Sequence, residues 1–467
     1  MISDFSTAVR KAIFDKPALT VVLAIWAGMV GTLCVFVAVY DRNLPLWEDW
    51  LVVPAMTGYE SNLLEWLWAP LNGHRLPLQK AIALILLKIS GGDFRIGGIS
   101  NAITLGGLSL AMILTAAHLR GQTRLADAFF PLALLHLGNL VNFLFFFQIQ
   151  HVFSTVLYCI WLLIIVREPW PLTPKVAIIT GLLLVLLPIV SANAFILMPF
   201  VVFWLAAGSL LYQRATSPKW IVPFHCACII ISIALACFYL VGLKEEPAYA
   251  GIGPTLVYAL RFVGTGIGQI GAAKASAQLV PGVVPKLITG SLFFGAVVSL
   301  LASSIIPLRR GLSRIRAPEG SRSLGLLMFI AAMAALTLVV AWGRAGWIKL
   351  EGFPDRYALL SVPALCAAYF MWLLYGPETT RNRITNAFAT VALLAFPFNV
   401  KEGLVFRDYY VTNMQAFEQN VADGLSWQEL ADKHKQFLLP MDPDALIERM
   451  QMLHEANIGP LGTATPR

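Results

Sequence analysis

Long runs of apolar residues, separated by short polar links that repeatedly carry arginine, set the pattern of this chain. A helix needs roughly 20 apolar residues to cross a bilayer core. Runs near 18–40, 97–118, 128–147, 152–166, 176–192, 194–212, 220–241, 283–306, 323–342, 357–375 and 384–399 therefore predict about eleven membrane spans. Several are short, which implies tilt, breakage or packing against polar cavities. The first run is followed by "CVFVAVYDRNLP", which offers no small-residue cleavage site, so it reads as a retained helix rather than a signal peptide. Leu76 to Ser90 is apolar but short, and Lys80 and Lys88 interrupt it. An amphipathic helix lying in the membrane interface suits it better than a crossing.

The arginines test this map. Arg10, Lys11 and Lys16 precede the first run, and the alternate links carry Arg120 and Arg124, Arg167 and Lys175, Arg214 and Lys219, the group Arg309 to Arg322, and Arg381 and Arg383. All fall on the N-terminal side of the predicted membrane, and the positive-inside rule makes that side cytoplasmic. Eleven crossings then place the C-terminus outside, in the periplasm if the cell is Gram-negative. A crossing by Leu76–Ser90 would invert every later link and spoil the pattern.

Composition agrees: 58% of the 467 residues are hydrophobic and 13% charged, against roughly 25% charged in soluble domains. The chain is read as an all-α polytopic membrane protein. The net charge of +8 divides unevenly, because residues from Lys401 onward include six basic and ten acidic side chains. The excess positive charge thus sits between apolar runs, a topology signal rather than a nucleic-acid footprint. The tail reads as a small helical external domain, 400–467, beside a membrane domain, 1–399. Ser426 with Glu429 forms a capping box, and Asp442 with Pro443 starts a second helix that stops near Asn457 and Gly459. The six cysteines all lie in apolar runs and read as buried small hydrophobes. No Walker loop or dinucleotide fingerprint is present.

Candidate chemistry gathers outside the predicted membrane. "WEDW" sets Glu48 and Asp49 between Trp47 and Trp50, and Asn72, His74 and Arg75 follow in a glycine-containing turn. Asp49 is placed to take a proton from an acceptor hydroxyl, and equally to cap the interfacial helix after it. "WGRAGWIKLEGFPDRYALL" supplies Arg344, Lys349, Glu351, Asp355, Arg356 and Tyr357. Arginine at such a point holds phosphate bidentately or snorkels to lipid headgroups. The loop 243–282 is rich in Gly and Ala and reads as a segment that dips into the membrane; its Arg261 and Lys274 suit an anionic lipid or plain interfacial anchoring. Asn139, Asn142, Gln148, His151 and Asn193 are polar side chains within the apolar runs, and Gln148, His151 and Asn193 fall near the outer surface.

A first span, an external loop with an acidic pair and "NGHR", many further spans and a late "GRAG…DRY" stretch together resemble the GT-C superfamily of integral membrane glycosyltransferases, especially the bacterial type that uses polyprenyl-phosphate sugars. The resemblance covers the organisation of about residues 1–400. It implies a catalytic acid at Asp49, with Glu48 as alternate, and His74 and Arg75 toward the active-site cavity. It implies donor-phosphate recognition by Arg356, Tyr357, Arg344 and Arg75, and no essential metal or cofactor beyond the lipid-linked sugar donor. The implied reaction is an inverting transfer to a cell-envelope glycan or lipid acceptor on the external face of the inner membrane. A transporter or flippase for a lipid-linked sugar is the alternative reading.

Overall fold

The computed structural model describes residues 17–71, 74–168, 173–211, 218–243, 250–272, 283–313, 320–346, 355–439 and 442–464. These residues form a helical, polytopic membrane protein. Nine of the described helices are long and apolar enough to cross a bilayer: Pro17–Tyr40, Arg95–Arg120, Phe146–Arg167, Ala192–Leu211, Ile221–Leu240, Ile288–Leu312, Gly320–Arg344, Arg356–Tyr375 and Glu378–Ala422. Two shorter apolar helices, Pro174–Val190 and Ile252–Ile267, accompany them. Arg356–Tyr375 is the central one, with 89% of its apolar window buried, whereas Ile221–Leu240 is peripheral at 28%.

The run 128–147, expected as one span, is a chain of short helical pieces. Leu125–Ala128, Phe129–Leu134, Leu137–Asn139, Val141–Leu144 and Phe146–Gln148 follow one another with breaks between them. Pro131 lacks an N–H, and Gly138 and the polar side chains of His136, Asn139 and Asn142 favour local breaks in the helical ladder. Irregular backbone survives at membrane depth only where protein surrounds it. That condition is met, because every residue from Ala126 to Ile149 is buried. The segment runs antiparallel to Arg95–Arg120: Asp127 is bonded to Arg120 at one end, while Phe143 and Phe146 lie on Gly98 and Gly97 at the other. A methyl at Gly97 would stand 1.5 Å from the Phe146 ring and one at Gly98 1.9 Å from the Phe143 carbonyl oxygen, so only glycine allows this approach.

The bundle has two unlike ends. At one, Arg322 donates to the Arg167 carbonyl at 3.0 Å, and Arg120 bonds the Tyr369 hydroxyl at 3.2 Å. The opposite end holds the first loop and the tail. There Pro77–Ile89 forms a 13-residue helix, too short for a span, with Lys88 exposed. Lys80 turns inward instead, 4% exposed, and donates to the carbonyls of Trp66 and Ala69 at 2.7 and 2.8 Å. It thereby neutralises the carbonyl end of Leu63–Trp68.

The helix expected to end near residue 399 continues unbroken from Glu378 to Ala422, 45 residues with Pro397 inside. Its far half and the tail pack on the first loop. Tyr410 donates to Asp41 Oδ1 at 2.6 Å, Tyr59 bonds Glu455, and Ile458 covers Gly92. The tail helices start as their sequences require. Ser426 accepts from the Glu429 N–H in a reciprocal capping box, and Asp442 accepts from the Asp444 N–H with Pro443 in the first turn. Cys226 is exposed and Cys228 buried, on different faces of one helix, and all six cysteines are free.

Candidate functional site

The late arginines are brought together. Arg344 ends the helix Gly320–Arg344, and Arg356 opens the segment that becomes Arg356–Tyr375. Their guanidinium carbons lie 5.5 and 5.6 Å from the centre of the Tyr357 ring. Tyr357 is buried, and its ring packs on His151 at 4.9 Å between centres. Arg344 and Arg356 are half-buried. The charges acting on His151 are those of Arg356, Arg344 and His74, so the first loop contributes to the same neighbourhood. Tyr258, on Ile252–Gly264, sees Tyr357 and both arginines. Arg261 lies one turn beyond Tyr258 and is half-buried. Lys274, Lys349, Glu351 and Asn72 lie outside the described residues.

The polar side chains of the broken segment lead into this group. Asn142 Nδ2 donates to the Arg356 carbonyl at 3.4 Å, and Thr155 donates to the Leu359 carbonyl at 3.4 Å. Both ring nitrogens of His151 are buried and without a hydrogen-bond partner among the described residues. Asn193 stands apart, its carbonyl accepting from Tyr158.

The acidic pair has a different setting. Asp49 is 2% exposed. Its Oδ1 accepts from the Phe147 N–H at 2.8 Å and its Oδ2 from the Leu46 N–H at 3.3 Å. The cap expected on the following helix is therefore made backward, onto its own turn Trp47–Leu51, and across to the broken segment. Burial pushes the carboxyl well above the ordinary aspartate range, with Glu48 and Asp41 adding to the rise, while the two backbone bonds oppose it. Glu48 is half-buried beside it. Trp47 has φ 48°, left-handed backbone that a bulky residue adopts only under constraint, and its ring stands edge-on to Phe145 at 5.2 Å. The turn is thus pinned to the segment that leads to His151 from two sides.

Arg75 is engaged with backbone carbonyls. Its Nε donates to the Tyr239 carbonyl at 3.0 Å, Nη2 to the Val241 carbonyl at 2.6 Å, and Nη1 to the Trp68 carbonyl. It caps the end of Ile221–Leu240 and ties the first loop to it. His74 closes the Leu71–His74 bridge and is half-buried.

No family model, no curated protein and no solved structure matches this chain. Among the described residues no three of His, Cys, Asp and Glu gather as metal ligands. Sequence reasoning does not single out two of the participants. Gln269 lies in the glycine-rich run "GTGIGQIGA", and Asn399 at the expected end of the last span. The surrounding glycines are the only signal for Gln269, and Asn399 carries none.

Proposed function

We propose that this chain is a membrane glycosyltransferase that takes a sugar from a polyprenyl-phosphate carrier and passes it to an envelope glycan or lipid acceptor at the tail-bearing end of the bundle. What carries the reading is the convergence of Arg344 and Arg356 on Tyr357, with His151 on the same ring. Two half-buried arginines on one aromatic ring at a membrane end are suited to a lipid phosphate, which arginine grips bidentately. As the sugar leaves, negative charge localises on that phosphate, and cations fixed beforehand stabilise it. The resemblance to the GT-C superfamily supports the same reading. So does the gathering of Arg120, Arg167 and Arg322 at the opposite end, which the positive-inside rule makes cytoplasmic.

Of the two carboxylates, Glu48 takes the acceptor proton, and Asp49 holds the turn. Both oxygens of Asp49 already accept backbone N–H bonds, which supports this division. Purified protein assayed with a panel of polyprenyl-phosphate sugars, reading both hydrolysis and transfer, tests the activity. Glu48→Gln is expected to lower transfer by about 10²–10⁴-fold, the usual effect of losing a general base, with donor binding unchanged. Normal transfer by a folded Glu48→Gln protein would remove Glu48 from this role.

The broken segment 125–148 favours a second reading, movement of a lipid-linked sugar across the membrane, because discontinuous helices with buried polar groups also build transport sites. Vesicles containing the protein and a labelled lipid separate the two: movement between leaflets without any transfer product supports the transporter.

A further inference from the structure

Around the segment that carries Arg356 lie buried side-chain amides whose oxygens lack donors among the described residues. Asn139, Asn142, Gln148, Gln269 and Asn399 are each at most 4% exposed. The side-chain oxygen of every one has no hydrogen-bond partner among the described residues, and Gln269 lacks one for its nitrogen as well. Two of the oxygens are fixed in direction. Asn142 Nδ2 donates to the Arg356 carbonyl, and Asn399 Nδ2 donates to the Ile267 carbonyl at 2.8 Å. A carbonyl only accepts, so each amide must present its oxygen on the other side.

The layer is continuous with the arginine group. Asn142 touches Arg356 directly. Asn399 fits between two glycines: a methyl at Gly138 would stand 3.0 Å from its Oδ1, and one at Gly268 1.8 Å. Gly268 has φ +108°, and the turn it makes carries Gln269. Thr265, at the start of that turn, bonds Ser361 at 3.0 Å, which joins it to the segment of Arg356 and Tyr357.

We propose that this amide layer is the sugar subsite, where hydroxyl groups of a phosphate-linked sugar donate to the oxygens while Arg344 and Arg356 hold the phosphate. The inference rests on the glycosyltransferase reading above and names the residues that distinguish a sugar-bearing lipid from its bare phosphate. A buried acceptor left without a donor is destabilising, which disfavours an arrangement of five serving structure alone. Sugar hydroxyls are donors, and several can be met at once on one ring. A metal cation also suits neutral oxygens, but the backbone of Arg356 adjoins the layer at Asn142, Arg356 and Arg344 share the Tyr357 ring next along the chain, and the carboxylate of Asp49 is turned to backbone N–H groups. Positive charge beside the layer favours a ligand that is anionic at one end and rich in hydroxyls at the other.

The test uses the full chain in detergent micelles and two probes, a polyprenyl phosphate and its hexose-linked form. Wild-type protein is expected to bind the hexose-linked lipid more tightly. Gln269→Met keeps the length of the side chain and removes both amide groups. It is expected to reduce that preference about 3- to 10-fold, the range of one or more neutral hydrogen bonds, to leave affinity for the bare phosphate unchanged, and to raise the melting temperature of the ligand-free protein. Arg356→Ala is expected to weaken both lipids alike. Asn139→Leu provides a second amide variant if Gln269→Met does not fold. An unchanged preference in the folded amide variants overturns the proposal. So does a sodium-dependent rise in melting temperature that Gln269→Met abolishes, which would assign the layer to an ion. If both lipids bind wild-type protein equally, the sugar subsite falls and phosphate recognition stands. If neither binds, the glycosyltransferase reading fails first and takes the subsite with it.

Discussion

The segment 125–148 begins and ends in opposite kinds of polar environment. At its start Asp127 is fully buried and surrounded by donors: Arg120 at 2.9 and 3.1 Å, the Tyr369 hydroxyl at 2.7 Å and the Arg124 N–H at 2.8 Å. Phe129 stacks on Tyr369 at 5.5 Å and closes the site with aromatic surface. Past residue 136 the same segment carries amides whose oxygens have no donor among the described residues, and it leads to His151 and two half-buried arginines. Burying the ion pair costs more than burying neutral amides. Among the described residues the ion pair is met by partners of its own, and the amide oxygens are not. The difference separates an end closed by its own partners from the end where the ligand is proposed to bind.

The largest expected effect lies at the closed end. Asp127→Ala leaves Arg120, 4% exposed, as an uncompensated buried charge. Such a break costs about 3–5 kcal/mol. Thermal melts in detergent should show a steep fall, with the ratio of affinities for hexose-linked and bare polyprenyl phosphate preserved in whatever folds. A stable Asp127→Ala protein with altered lipid preference would reverse the assignment of the two ends.

Next comes the open end. Arg356→Ala should weaken binding of a polyprenyl-phosphate sugar by about 1.5–3 kcal/mol, the range of charge-assisted hydrogen bonds, while its melting temperature stays near that of the wild type. Arg356→Lys should restore only part of the affinity, because lysine lacks the planar fork. Full affinity in the folded alanine variant would leave the arginine pair without its phosphate.

Much of this contrast is legible in the amino-acid sequence, and the rest is hidden there for definite reasons. Apolar runs report local length and hydropathy, so the long helices are legible, as are the caps at Ser426 and Asp442, whose partners lie two or three residues away. Hydropathy does not tell lipid from protein as the surroundings of a segment. The run 128–147 therefore reads as a span, although Pro131, Gly138 and Asn139 are visible within it. The bonds of Arg75 to the carbonyls of Tyr239 and Val241 are not legible in the first loop, because those partners lie more than 160 residues away. For Asp49 the decisive partner is the Phe147 N–H, 98 residues on. The late arginines are legible because their short spacing and apolar flanks place both at one end of adjacent crossings.

Asp49 offers a finer test. If its carboxylate holds the turn, Asp49→Asn must lose stability as well as activity, because an amide turns a donor toward one of the two backbone N–H groups. The expected loss is about 1–3 kcal/mol, the range for leaving a buried group unsatisfied. Glu48→Gln should leave the melting temperature unchanged. An Asp49→Asn protein that melts normally but has lost transfer would return the proton to Asp49 and reduce Glu48 to a neighbour.

A pH response is expected at the joint between the first loop and the tail. Asp41 is 8% exposed and accepts from the Tyr410 hydroxyl at 2.6 Å and the Arg42 N–H at 2.9 Å. Burial raises its carboxyl from the ordinary aspartate range to about 7; the two hydrogen bonds and Arg95 oppose the rise, and Asp93 adds to it. A carboxyl raised on folding holds its proton in the folded chain after the unfolded chain has lost it. Its stabilising contribution is therefore complete below about pH 4 and fades as the pH climbs through about 7. Asp49 is shifted in the same direction and adds to the trend. Wild-type protein should accordingly melt at a lower temperature at pH 8 than at pH 5.5, and amide exchange around Tyr410 should quicken over the same interval. Asp41→Asn keeps an oxygen for the Tyr410 hydroxyl and no longer titrates, so it should flatten both responses in part, with Asp49 accounting for the remainder. Equal melting of the wild type at the two pH values, or an unchanged slope in Asp41→Asn, would show that this carboxyl does not govern how the tail is held.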